Sequence, residues 1–201
     1  MTKIKNYRIN LRPREIARSL KNEHQIATTP EIELAVDAAI KRWKALVHPA
    51  AVYTTLTRTT AEKATSIAFP DKTVAVSVLA ATIGPDFSAT QASIEGEGAP
   101  SEALLMAAVQ HEALQQAVQF GIKLLQDQAK EEECELSQAV VAEDPKLVSG
   151  LGNLLGTSRI GINAEEGALP PHARLIWVFW SPVGKSSSRK ADNASKQKAA
   201  A

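Results

Sequence analysis

The run Thr73 to Ala81 (TVAVSVLAA) constrains the fold more than any other part of the chain. It is small, apolar and β-branched, with no charge, so it reads as an interior strand covered on both faces. Ala51 to Thr59 (AVYTTLTRT) is β-branched and partly alternating, which suits a strand with one wetter face. Arg159 to Asn163 (RIGIN) reads as a short strand and Leu175 to Trp180 (LIWVFW) as the most aromatic one. Alternation along that last strand puts Trp177 and Phe179 on one face and Trp180 on the other.

Helical segments alternate with these strands. Pro13 to Lys21 (PREIARSLK) is a short helix opened by proline. Thr29-Pro30-Glu31 is a stronger start: a hydroxyl N-cap, proline at the first position and an acid in the first turn. From there Ile32, Ala35, Val36, Ala39, Ile40, Trp43 and Val47 recur at helical spacing, and His48-Pro49 ends the run. Thr82 to Asp86 (TIGPD) reads as a turn and Glu95 to Pro100 (EGEGAP) as a Gly-rich loop. A long helix follows to about Lys130, with Leu104, Leu105, Ala108, Val109, Leu114, Val118, Ile122 and Leu125 as core contacts. After Glu131-Glu132-Glu133 the chain reads as irregular to Asp144, and Pro145 to Leu155 is a helix stopped by Gly156. Four strands and three or four helices without strict βαβ alternation predict an α+β (mixed α/β) fold, a twisted, partly antiparallel sheet with flanking helices.

Residues 1–184 are expected to form one domain. Lys185 to Ala201 carries five Lys/Arg, one acid and no large apolar side chain, and is expected to be a disordered basic tail. Without that tail the chain holds 18 Lys/Arg against 21 Asp/Glu and no basic stripe interleaved with aromatics, so nucleic acid is not an expected partner. No uncharged apolar run is long enough for a membrane span, and the basic N-terminus lacks the apolar stretch of a secretory signal, so a cytoplasmic location is expected.

Local motifs are few. The lone cysteine, Cys134, excludes an internal disulfide and a cysteine zinc cluster, and the acids before it raise rather than lower a thiol pKa. His24, His48, His111 and His172 have no metal-ligand spacing. There is no GxSxG, Walker A loop or GxGxxG, and Gly96-Glu97-Gly98 has acids that would repel phosphate. From these residues alone no metal and no catalytic group is assigned.

Three ordered segments carry more information. They are Arg14 to Leu20 (REIARSL) with Ala45 to Tyr53 (ALVHPAAVY), then Val76 to Gly84 (VSVLAATIG) before a long helix, then Ser158 to Glu166 (SRIGINAEE) with Pro170 or Pro171 behind it. Together they resemble the activation domain of cobalamin-dependent methionine synthase, above all its short stand-alone relatives, over about residues 10 to 182. The resemblance implies an S-adenosylmethionine-binding domain that docks on a corrinoid or cobalamin-binding protein and supports reductive remethylation of cobalamin. It places Glu112, Thr82, Gly84, Arg159, Gly161 and Glu166 as cofactor-binding residues, with S-adenosylmethionine as direct ligand and cobalamin brought by the partner. The chemistry then belongs to sulfonium and corrin, and no general base is required.

One departure bears on the ligand. Where the family has Arg-x-x-x-Gly-Tyr, this chain has Glu135 and Ala139-Val140, so a carboxylate-pairing cation is replaced by an acid. Two alternatives stay open beside the trans-acting reading. One is a non-enzymatic corrinoid-protein interaction or assembly factor, with a homodimer as a possible form. The other is a small-molecule enzyme that would need Glu112, Arg159 and Glu166 to converge.

Overall fold

The computed structural model describes residues 1–184 except 66, 97–99 and 165–166. The basic tail, Glu166 and the centre of the Gly-rich loop therefore lie outside the described residues. Chain order is β1 (Thr2–Lys5), α1 (Pro13–His24), α2 (Pro30–Trp43), a 3-10 turn (Lys44–Leu46), β2 (Ala50–Thr57), α3 (Arg58–Ala64) and β3 (Ala75–Thr82). Then come α4 (Pro85–Gly96), α5 (Pro100–Glu131), β4 (Cys134–Leu136), β5 (Val140–Val141), α6 (Pro145–Leu155), a second 3-10 turn (Thr157–Ile160) and β6 (Ala173–Pro182).

The sheet runs β1-β2-β3-β6-β4, with β5 also on β6. Every ladder is antiparallel, so the expected antiparallel pairing extends across the whole sheet. As expected, β3 is interior: Val76 to Thr82 are all buried, and period-two alternation sends them to opposite faces. Ala51, Tyr53, Leu79, Ala81, Ile176 and Val178 pack under α1, α2 and α5. Val52, Val76, Val78, Ala80, Leu175 and Phe179 pack against α3, α6 and the second 3-10 turn. Gly121 allows α5 its close approach, because a Cβ there would lie 2.5 Å from Leu79 Cδ2.

The expected cap at Thr29 is present, and Asp144 caps α6 in the same way. Thr29 Oγ1 accepts from Ile32 N at 3.4 Å, and Asp144 Oδ1 accepts from Leu147 N at 2.9 Å. Trp180 faces away from Trp177 and Phe179, and its Nε1 donates to Ser77 Oγ at 2.8 Å.

Four local readings are corrected. Arg159 to Asn163 is not a strand, because Gly156 and Gly161, with φ of +56° and +77°, bracket a tight 3-10 turn. The supposed turn at Thr82 to Asp86 already contains the first residues of α4. Thr57 ends β2, and α3 takes the two last residues of the expected strand. The stretch taken as irregular holds β4 and β5, which read as one edge strand interrupted by a bulge. Between Leu136 opposite Trp180 and Val140 opposite Trp177, three residues face two. Ser137 closes this gap: its N donates to Phe179 O at 2.9 Å and its Oγ accepts from Phe179 N at 3.0 Å.

Candidate functional site

The charged centre of the helical layer is built from α5 and the segment entering α1. Glu112 lies on α5 beside the buried residues Val109 and Ala113, and its side chain is only 4% exposed. Such a carboxylate requires a partner. Arg12 supplies it: Nε donates to Oε1 at 2.7 Å and Nη2 to Oε2 at 3.2 Å, a fork that uses both oxygens. Gln116 Nε2, one turn along, donates to Oε1 at 3.0 Å. Glu112 in return raises the already high pKa of Arg12, first through the side-chain hydrogen bond. Tyr7 holds the incoming segment on the same helix, stacking on Phe120 at 3.9 Å and donating to Ala117 O at 3.2 Å.

Beside this pair, between the start of α1 and the first turns of α2, an open cleft of about 640 Å³ is lined by Asn10, Arg12, Arg14, Ala17, Glu33 and Asp37 among others. Its volume is in the range of small-molecule sites.

A second polar cluster sits where β3 meets β6. Thr82 Oγ1 donates to His172 O at 3.1 Å and accepts from Gly84 N at 3.0 Å. Gly84 has φ of +94°, and a Cβ there would stand 3.2 Å from His48 Cβ, so the turn has no spare room. His172 is buried; its Nδ1 shares a hydrogen bond with Ser88 Oγ at 2.9 Å, while its Nε2 has no partner. Burial lowers the imidazole pKa, with the Gly161 backbone partly opposing the shift. His48 and Asp86 approach to 3.6 Å at the exposed rim.

Of the six residues expected at the cofactor site, the five described ones are spread over both faces of the sheet. Thr82 and Gly84 stand together by His172, with Gly161 nearby. Glu112 is on the α5 side of the sheet, whereas Arg159 belongs to the 3-10 turn whose Ile160 packs into the opposite layer. Arg159 is exposed and acts on Lys3 of β1, whose pKa is lowered first by desolvation, then by Lys5 and Arg159. Glu166 is outside the described residues. Glu135 is exposed on β4 opposite Ser181, and Ala139 and Val140 are exposed at and just after the bulge. The Cys134 thiol is pushed up by burial and then by Glu132 and Glu133. Among the described residues no three His, Cys, Asp or Glu side chains cluster to hold a metal, and no helix is long and apolar enough to cross a membrane.

Arg12 was not singled out in the sequence. It lies 100 residues from Glu112, in an irregular stretch before Pro13. The available signal was the acid itself, set among apolar positions of α5, which demands a cation without saying which one.

No protein-family model matches this sequence, and no curated protein matches it. The fold matches a solved structure, the MetH reactivation domain bound to AdoHcy, with a TM-score of 0.59. That match covers 92% of this chain and 79% of the other at 11% identity. The fold is therefore similar to that of the MetH reactivation domain, and identity this low establishes the fold alone.

Proposed function

We propose that this chain is a stand-alone relative of the methionine synthase reactivation domain that acts in trans on a corrinoid or cobalamin-dependent methyltransferase. Its task is to dock on the cobalamin-binding partner and support reductive remethylation of the cofactor. The fold match across 92% of the chain carries this reading. If the chain is active, its activity is that of the partner's methyltransferase system, and the protein contributes position and electrostatics.

S-adenosylmethionine binding is weak or absent on this reading. AdoHcy in the solved relative supports a related ligand, but two features of this chain oppose a tight one. Glu112, the acid assigned to a cationic ligand group, is already neutralised by Arg12. Glu135 stands where the family motif has a carboxylate-binding cation.

A second reading, a corrinoid-protein interaction or assembly factor without a nucleotide site, is favoured by the turn after β3. Thr82 and Gly84 are bonded to each other and packed on His172 and His48, leaving the site filled by its own side chains. Pull-down with a cobalamin-loaded partner module and calorimetry with S-adenosylmethionine separate the two. Partner binding is expected on both readings, and nucleotide binding, even weak, then favours the first over the second. Failure of both assays removes both.

A further inference from the structure

The cleft between α1 and α2 is lined by charges of both signs, several of them in no ion pair among the described residues. Of its lining groups, Arg12 is committed to Glu112, and Glu15 accepts from Arg18 Nη1 at 3.0 Å. Arg14 on one wall and Glu33 and Asp37 on the other have no ion-pair partner among the described residues. Glu33 and Asp37 are one helical turn apart on α2, so both carboxylates can address one ligand. The buried floor residue Ala17 contributes no long side chain to fill the 640 Å³ between the walls. One uncommitted guanidinium and two uncommitted carboxylates lining the same cleft match the charges of a molecule with one carboxylate and two cationic groups.

We propose that this cleft binds a dibasic amino acid: its carboxylate on Arg14 and its two cationic groups on Glu33 and Asp37. The site goes beyond the reactivation-domain reading. It uses none of the six residues assigned to the cofactor and none of the positions matching the family's ligand motif. Both walls are exposed, so the attraction is screened by salt, and affinity in the sub-millimolar to millimolar range, about 0.1–1 mM, is expected.

The test is an NMR titration of the full chain with L-arginine at low ionic strength. Agmatine, which lacks the carboxylate, and norleucine, which lacks the distal cation, are the controls. Support consists of saturable amide shifts on α1 and α2 for arginine, weaker binding of both controls, and weakening at about 0.3 M salt. Arg14→Gln and the double change Glu33→Gln with Asp37→Asn should each weaken binding about fivefold or more. These side chains are exposed, so the variants should fold, which circular dichroism checks. No arginine shifts up to about 10 mM at low salt overturns the inference, as does binding that ignores the variants. S-adenosylmethionine has the same charge formula and forms a separate arm. If it binds through Arg14 while arginine does not, the dibasic-amino-acid inference fails and the reactivation reading stands. If arginine binds but the corrinoid pull-down is empty, that reading fails and the inference stands.

Discussion

Replacing Arg12 with methionine should be among the most costly single changes at the helical face, although the residue itself is half exposed. Methionine keeps much of the aliphatic stem, so the lost quantity is the guanidinium fork on Glu112. The fork comprises hydrogen bonds of 2.7 and 3.2 Å to separate oxygens, leaving only Gln116 on the carboxylate. Removing one partner of a fully buried pair costs about 3–5 kcal/mol. Arg12 is 47% exposed, however, so water can enter part of the vacated space and screen the charge. The net loss should be about 2–3 kcal/mol, read from the shift in urea midpoint at constant m-value. Glu112→Leu in the Arg12→Met background removes the stranded charge and should recover about 1 kcal/mol or more. This sign is diagnostic, since a second large substitution in a merely packed region would add damage. Loss below about 0.5 kcal/mol for Arg12→Met, or no recovery in the double variant, would refute the assignment of Arg12 as the counter-charge for a buried acid.

Three further outcomes follow from the packing. Below about pH 6.5 the unfolded chain protonates its histidines while buried His172, with its lowered pKa, resists. Stability contributed there is complete above the unfolded pKa and declines as pH falls toward the folded one. His172→Gln should flatten that part of a urea-midpoint series between pH 7 and 5, and an unchanged slope would count against it. Gly121→Ala gains helix propensity of about 1 kcal/mol but drives a Cβ to 2.5 Å from fully buried Leu79, so net destabilisation of about 1–2 kcal/mol is expected in thermal unfolding. Ser77→Ala deprives buried Trp180 Nε1 of its acceptor and Thr55 Oγ1 of its 2.6 Å partner. A cost of about 1–2 kcal/mol in urea unfolding is expected, and a neutral effect would mean water satisfies the indole.

The features legible in the sequence were those set by local chemistry. Period and composition suffice for β3 and the long helix, and the cap at Thr29 is legible from residue type. Features decided by distant partners were not legible. The edge strand β4–β5 contains Glu135, Gln138 and Ala139, which have little strand character alone; β6 organises it across the bulge. β1 is four residues with two lysines, recognisable only by its pairing with β2. RIGIN has the β-branched alternation of a strand, yet left-handed Gly156 before it and Gly161 within it put its first two residues in a 3-10 turn.

The same division governs the site. Resemblance groups Glu112 with Arg159, but that grouping follows motif order, and a sheet with layers on both sides can carry neighbours in a motif list to opposite faces. The pairing of charges discriminates more sharply between the candidate groups. On α5 the buried acid is satisfied internally, so a ligand cation would have to displace a two-pronged guanidinium before gaining that carboxylate. Across the adjoining cleft, Arg14, Glu33 and Asp37 remain uncommitted, and a ligand meeting them displaces only water. On the proposed reading, the groups open to a small molecule line the α1–α2 cleft beside Arg12, whereas the acid that the family likeness selects is already paired.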